Sequence, residues 1–159
     1  MKKLVIAAAL SAAFVAAPAA AQTYIGGGIG KSDTDTQENS WKVYGGYQFT
    51  PAWGVELGYT DLGNYLGEEV ESWSLAGTAT LPMGQKWSLI GKLGFARNNA
   101  EAPAASQKSS TLMGVGVGYA LNPNLGLRLE YEDYGKLADT GAGTTHKGSQ
   151  VLLSAKYSF

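Results

Sequence analysis

From Gln22 to the end of the chain, apolar and polar residues alternate with a period of two, the pattern of strands whose two sides meet different surroundings. Eight strands are predicted, at 22–30, 40–49, 53–62, 71–81, 86–96, 109–120, 125–134 and 148–159. They share one parity. The large apolar residues fall on odd numbers: Trp41, Val43, Tyr47 and Phe49, then Trp53, Val55, Leu57 and Tyr59, then Trp73, Leu75 and Leu81. The later strands continue with Trp87, Leu89, Leu93 and Phe95, with Met113, Val115, Val117 and Tyr119, with Leu127, Leu129 and Tyr131, and with Val151, Leu153, Tyr157 and Phe159. Charges within strands, apart from the two residues at either end, fall on even numbers: Lys42, Glu56, Lys92, Arg128, Glu130, Glu132 and Lys156. Successive side chains of a strand point to opposite faces, so one face of the sheet is apolar and the other polar.

The connections alternate in length. Thr50-Pro51-Ala52, Pro82-Met83-Gly84-Gln85 and Leu121-Asn122-Pro123-Asn124 are short, and each holds a proline, which cannot donate to a central ladder. The segments 31–39, 63–70, 97–108 and 135–147 are long and rich in Gly, Ser, Thr, Asn and charge. Short turns on one side and long loops on the other predict an all-β fold: an eight-stranded antiparallel transmembrane β-barrel with short periplasmic turns and long extracellular loops. An even strand number puts both termini in the periplasm.

A soluble lipid-carrying barrel also alternates, with the polar face in water. The even face here is poorly suited to that. It offers Ser110, Leu112, Gly114, Gly116 and Gly118 in one strand and Ser72, Ser74, Ala76, Thr78 and Thr80 in another. Small, sparsely charged residues fit the crowded interior of a narrow barrel. Aromatics gather at both ends of the odd rows. Phe49, Trp53, Trp87, Tyr119, Tyr157 and Phe159 lie by the short turns; Trp41, Tyr59, Trp73, Phe95 and Tyr131 lie toward the long loops. Two aromatic girdles around an apolar band are expected of a lipid-facing surface.

The first 21 residues do not follow this pattern. Lys2 and Lys3 precede an apolar run from Leu4 to Val15, and Pro18 precedes Ala19-Ala20-Ala21, which together read as a cleavable export signal. The expected division is therefore a signal peptide at 1–21 and a barrel domain at 22–159. Without Lys2 and Lys3 the chain keeps 10 basic and 13 acidic residues, a formal charge of −3 with no basic tract, so nucleic acid is not an expected partner. There is no cysteine, which excludes disulfides, thiolate metal sites and, after the apolar run, a lipoprotein anchor. Charged residues make up 16%, against about 25% in soluble domains, which leaves little material for a watery exterior.

In these features the chain resembles the small OmpA-like outer-membrane barrels over residues 22–159. The resemblance rests on Thr23-Tyr24-Ile25-Gly26-Gly27-Gly28-Ile29-Gly30, Val55-Glu56-Leu57-Gly58-Tyr59, Gly91-Lys92-Leu93-Gly94, Leu127-Arg128-Leu129-Glu130-Tyr131 and the final Tyr157-Ser158-Phe159. It implies location in the outer membrane of a Gram-negative bacterium, among outer-membrane lipids and lipopolysaccharide. It also implies that Phe159 is a signal to the barrel-assembly machinery, and that Glu56, Lys92 and Glu130 belong to a lumen charge network tied in that family to gating of a narrow ion path. Larger members continue into a peptidoglycan-binding domain; this chain ends at the barrel, so a cell-wall tether is not implied.

The candidate chemistry is thus a polar lumen. Four cations (Lys42, Lys92, Arg128, Lys156) face three carboxylates (Glu56, Glu130, Glu132), and buried charges require partners. Catalysis is not expected: the lone His146 sits beside Lys147 and Gly148, with Ser149 near, and nothing holds a base against a nucleophile. The acidic run Asp33 to Glu38 lacks the glycine and distal glutamate of a calcium loop, and Gly26 to Gly30 lies within a strand rather than before a helix. No cofactor or metal is expected. The function read from the sequence is structural support of the envelope, with surface interaction through the loops. A narrow channel, an adhesin, a lipid A-modifying enzyme and a soluble lipid carrier are the alternatives, and no loop partner is specified.

Overall fold

The computed structural model describes residues 22–33, 37–65, 68–100, 108–140 and 144–159. The segment read as an export signal lies outside the described residues. Eight strands follow in order: β1 (Gln22–Asp33), β2 (Gln37–Gln48), β3 (Trp53–Tyr65), β4 (Glu68–Met83), β5 (Trp87–Ala100), β6 (Lys108–Ala120), β7 (Leu125–Thr140) and β8 (Thr144–Ser158). Each pairs antiparallel with its neighbour in sequence, and β8 pairs with β1 to close a barrel. Closure removes the free sheet edges. At the seam Tyr24 stands opposite Ser158, and the Phe159 amide donates to the Thr23 carbonyl at 3.0 Å. Both ends of the barrel domain therefore meet at one rim.

The three tight turns share that rim, and local side chains shape them. The Trp53 amide donates to Thr50 Oγ1 at 3.0 Å, and Asn122 Oδ1 accepts from the amides of Asn124 and Leu125 at 2.9 and 2.7 Å. The turn between β4 and β5 is Gly84-Gln85-Lys86, shorter than the sequence suggested, with Gly84 at a φ of 92° that side chains disfavour. Pro82 lies inside β4. The Thr80 amide points toward the preceding hairpin, donating to the Ala52 carbonyl at 2.7 Å, so two residues on the missing N–H of Pro82 falls on the side where β3 has already ended.

At the opposite rim the strands run further than the alternation predicted. Only residues 34–36, 66–67, 101–107 and 141–143 separate them. Beyond the apolar band both faces are polar, so the period-two contrast fades while the backbone ladder continues. The register shifts there, between Asp61 and Asn64 and between Asp133 and Lys136, near Gly135 with its φ of 64°.

Parity sorts the faces. Among the described residues, every large hydrophobic side chain that is exposed carries an odd number, Leu57, Leu75, Leu89, Leu93, Val115, Leu129 and Leu153 among them. The buried polar and charged side chains are even-numbered except Thr23 and Asp61 at the rims. A continuous apolar girdle of this extent is not tolerated by water. A soluble lipid carrier needs the apolar face inside; here it is outside, which overturns that alternative. Strands of 12 to 16 residues also exceed the 9–11 or so needed to cross a bilayer at a tilt.

Candidate functional site

The narrow lumen is filled by long side chains standing opposite small ones. Tyr24 of β1 pairs with Gly46 of β2, and Tyr44 of β2 pairs with Gly26 of β1. A Cβ on either glycine would overlap the facing tyrosine ring. The two rings meet edge to face with centroids 6.3 Å apart. Large aromatics were expected on odd positions; Tyr24, Tyr44 and Tyr134 are even, buried and inside.

Running up β7 from the turn rim, Arg128, Glu130, Glu132 and Tyr134 face inward in succession. Toward the loop rim, Glu132 accepts from Lys42 Nζ at 2.6 and 2.8 Å, from the Tyr134 hydroxyl at 2.7 Å and from Gln150 Nε2 at 2.9 Å. Gln150 also donates to the Tyr134 hydroxyl at 2.8 Å, and Thr60 shares a hydrogen bond of 2.9 Å with it. Nearer the turn rim, Glu56 accepts from Lys92 Nζ at 2.6 Å, from Arg128 Nη1 at 3.0 Å and from the Tyr24 hydroxyl at 3.2 Å. The hydroxyls of Tyr44 and Ser154 bond at 3.0 Å. Lys92 joins the two groups, since its Nζ also lies 3.1 Å from Glu132 Oε1 and 2.8 Å from Glu130 Oε1. The Glu130 contact is an ion pair outside hydrogen-bond geometry, and neither Glu130 oxygen has a hydrogen-bond partner among the described residues.

Six of the seven lumen charges are thus brought together, three cations against three carboxylates. Lys156 is not among them. No carboxylate among the described residues lies within 4.0 Å of its Nζ, which instead stands 4.8 Å from the centre of the Tyr24 ring. The charge network recruits Thr60, Tyr134, Gln150 and Ser154, none of which the sequence singled out. The clue available for the tyrosines was an aromatic on the even face with glycine at the paired position. Above the network, Ala76, Ala96, Leu112 and Tyr134 pack as an apolar cluster. Each of those six charges is committed to a partner, so the arrangement ties strands together rather than poising a group for reaction. No set of acidic or histidine side chains among the described residues could hold a metal ion, and the His146 side chain lies outside the described residues.

On the outer face, Phe49, Trp53, Trp87, Phe95, Tyr131 and Tyr157 are exposed, while Trp41, Trp73 and Tyr119 are partly covered by their neighbours. Trp87 and Tyr119 stack at 4.9 Å across β5 and β6. Tyr59 differs, at 3% exposure, because the rings of Trp41 and Trp73 flank it at 5.5 and 5.1 Å. Trp41 is held in turn by a 3.1 Å hydrogen bond from its Nε1 to Asp61. Phe159, exposed at the turn rim, packs against Tyr157 at 5.3 Å.

Comparison with known proteins agrees with this geometry. A family model described as outer membrane protein beta-barrel domain matches residues 5–159. Outer membrane protein A of Serratia marcescens is 27% identical across 83% of this chain, which spans 42% of that relative's length. The N-terminal β-barrel domain of OprF from Pseudomonas aeruginosa superposes with a TM-score of 0.66 at 12% identity, covering 87% of this chain and 97% of that one. Ail, the attachment invasion locus protein of Yersinia pestis, solved in complex with the heparin analogue sucrose octasulfate, superposes with a TM-score of 0.56 at 19% identity, covering 88% and 99%.

Proposed function

Because the chain belongs to the outer membrane protein beta-barrel domain family, we propose that it supports envelope integrity as a closed structural barrel and meets partners through its loop rim. The observation that carries this reading is the occluded lumen, in which Lys42, Lys92 and Arg128 are neutralised by Glu56, Glu130 and Glu132 from opposite walls. A lumen so filled favours a scaffold over a conduit. Residues 1–21 direct export and are cleaved after Ala21. The odd face contacts outer-membrane lipids and lipopolysaccharide, with Trp41, Trp73 and Phe95 at one interface and Trp53, Trp87 and Tyr157 at the other. Phe159 presents the finished strand to the barrel-assembly machinery. The Ail complex is a precedent, in a relative of the same fold, for a barrel of this size meeting a ligand. No catalytic step belongs to this reading.

The test is deletion of the gene and complementation with it. Loss should sensitise cells to detergents and bulky antibiotics, and the intact chain should restore resistance. In parallel, the purified barrel in planar bilayers should give no discrete conductance. Steady ion-selective openings, with no envelope defect on deletion, would make it a narrow channel instead.

A further inference from the structure

The turn rim of the lumen encloses a cleft of about 240 Å³ whose lining includes Lys86, Ser88, Arg128 and Lys156. Gly118 and Gly126, paired with Arg128 and Lys156 on the neighbouring strands, put no side chain of their own into it. No acidic residue is among the described residues that line it. All three lumen carboxylates lie further in, engaged by Lys42, Lys92 and Arg128. Among the seven lumen charges, cations outnumber carboxylates by one, and that surplus is Lys156.

Lys156 is mostly shielded from solvent yet has no carboxylate partner among the described residues. Its Nζ stands 4.8 Å from the centre of the Tyr24 ring, and Arg128 Cζ stands 5.0 Å from the same centre. One ring thus gathers two positive charges at the head of the cleft. A shielded ion without a counter-ion is costly, and an aromatic face offsets only part of that cost. Arg128 commits Nη1 to Glu56, while a guanidinium has five donors in all.

We propose that this cleft is an anion site for a phosphate group, with Lys156 as the principal charge. Arg128 offers donors from one side, and Ser88 and Lys86 close the mouth. A tetrahedral oxyanion has enough oxygens to meet donors converging from β5, β7 and β8, and the cleft has room for it with some of its water, at about 30 Å³ per water. The phosphate comes either from a free solute or from a lipid headgroup at the rim. The site does not depend on the envelope role proposed above.

The experiment is an NMR titration of the folded chain in an uncharged sugar-headgroup detergent, with inorganic phosphate exchanged for chloride at constant ionic strength. Saturable shifts are expected at Gly118, Gly126 and Lys156, and Lys156→Gln should weaken them about tenfold or more while the protein stays folded. Lys31→Gln, on the outer face at the far rim, should leave them unchanged. The same resonances followed in nanodiscs without free phosphate, with and without phosphatidylglycerol, separate the sources: a shift with the anionic lipid identifies a headgroup, and its absence a free phosphate. Shifts that never saturate, or that persist unaltered in Lys156→Gln, would overturn the assignment.

Discussion

Lys42 of β2 donates to both carboxylate oxygens of Glu132 of β7, at 2.6 and 2.8 Å, across a barrel in which those two strands share no ladder. The tie fastens opposite walls. Glu132 also accepts from Tyr134 and Gln150, so its removal strands several donors, while removal of Lys42 leaves Glu132 with its other partners. Glu132→Ala should therefore cost about 3–5 kcal/mol and Lys42→Ala about 1–3. Guanidinium unfolding of both variants in one detergent checks the order; equal, small losses would mean the tie bears little load.

Glu56 is the matching anchor nearer the turn rim. Glu56→Ala leaves Arg128 without its carboxylate and Lys92 with one fewer. Stability should fall by about 3–5 kcal/mol, and the emptied lumen should admit discrete openings in planar bilayers where the native barrel gives none. A variant unchanged in both respects would remove Glu56 from the network.

Tyr24 and Gly46 exclude one another's volume. Gly46→Ala should destabilise the barrel by about 1–3 kcal/mol through overpacking. Trimming the ring should relieve this, so Gly46→Ala in a Tyr24→Ala background should cost distinctly less than in the native chain. A double-mutant cycle measures the coupling, and additive effects would refute it.

The outer face answers to depth. Leu129, paired between Val117 and Leu153 in the apolar band, should lose about 2–4 kcal/mol on replacement by arginine. Leu121 at the turn rim should lose no more than about 1 for the same change. A reversed order, read from folding into liposomes, would misplace the band.

The faces and strand number were legible because parity is preserved from β1 to β8, and the contrast between Leu127, Leu129 and Arg128, Glu130 needs no tertiary information. Lumen partners were less so. Glu56 on β3 meets Arg128 on β7 only through the barrel's curvature and strand stagger, which alternation does not encode. For the same reason Lys156 looked like a network member and stands apart from it. Strand ends were underestimated where polar residues occupy both faces, as along β5 through Arg97, Asn98 and Asn99.

The most direct test is heat modifiability of the protein recovered from outer-membrane fractions, run on gels with and without boiling. A compact, faster band before boiling and a slower one after is expected of a detergent-resistant barrel with its apolar face in lipid. Recovery in the soluble periplasm, with no shift on boiling, would contradict that placement of the faces.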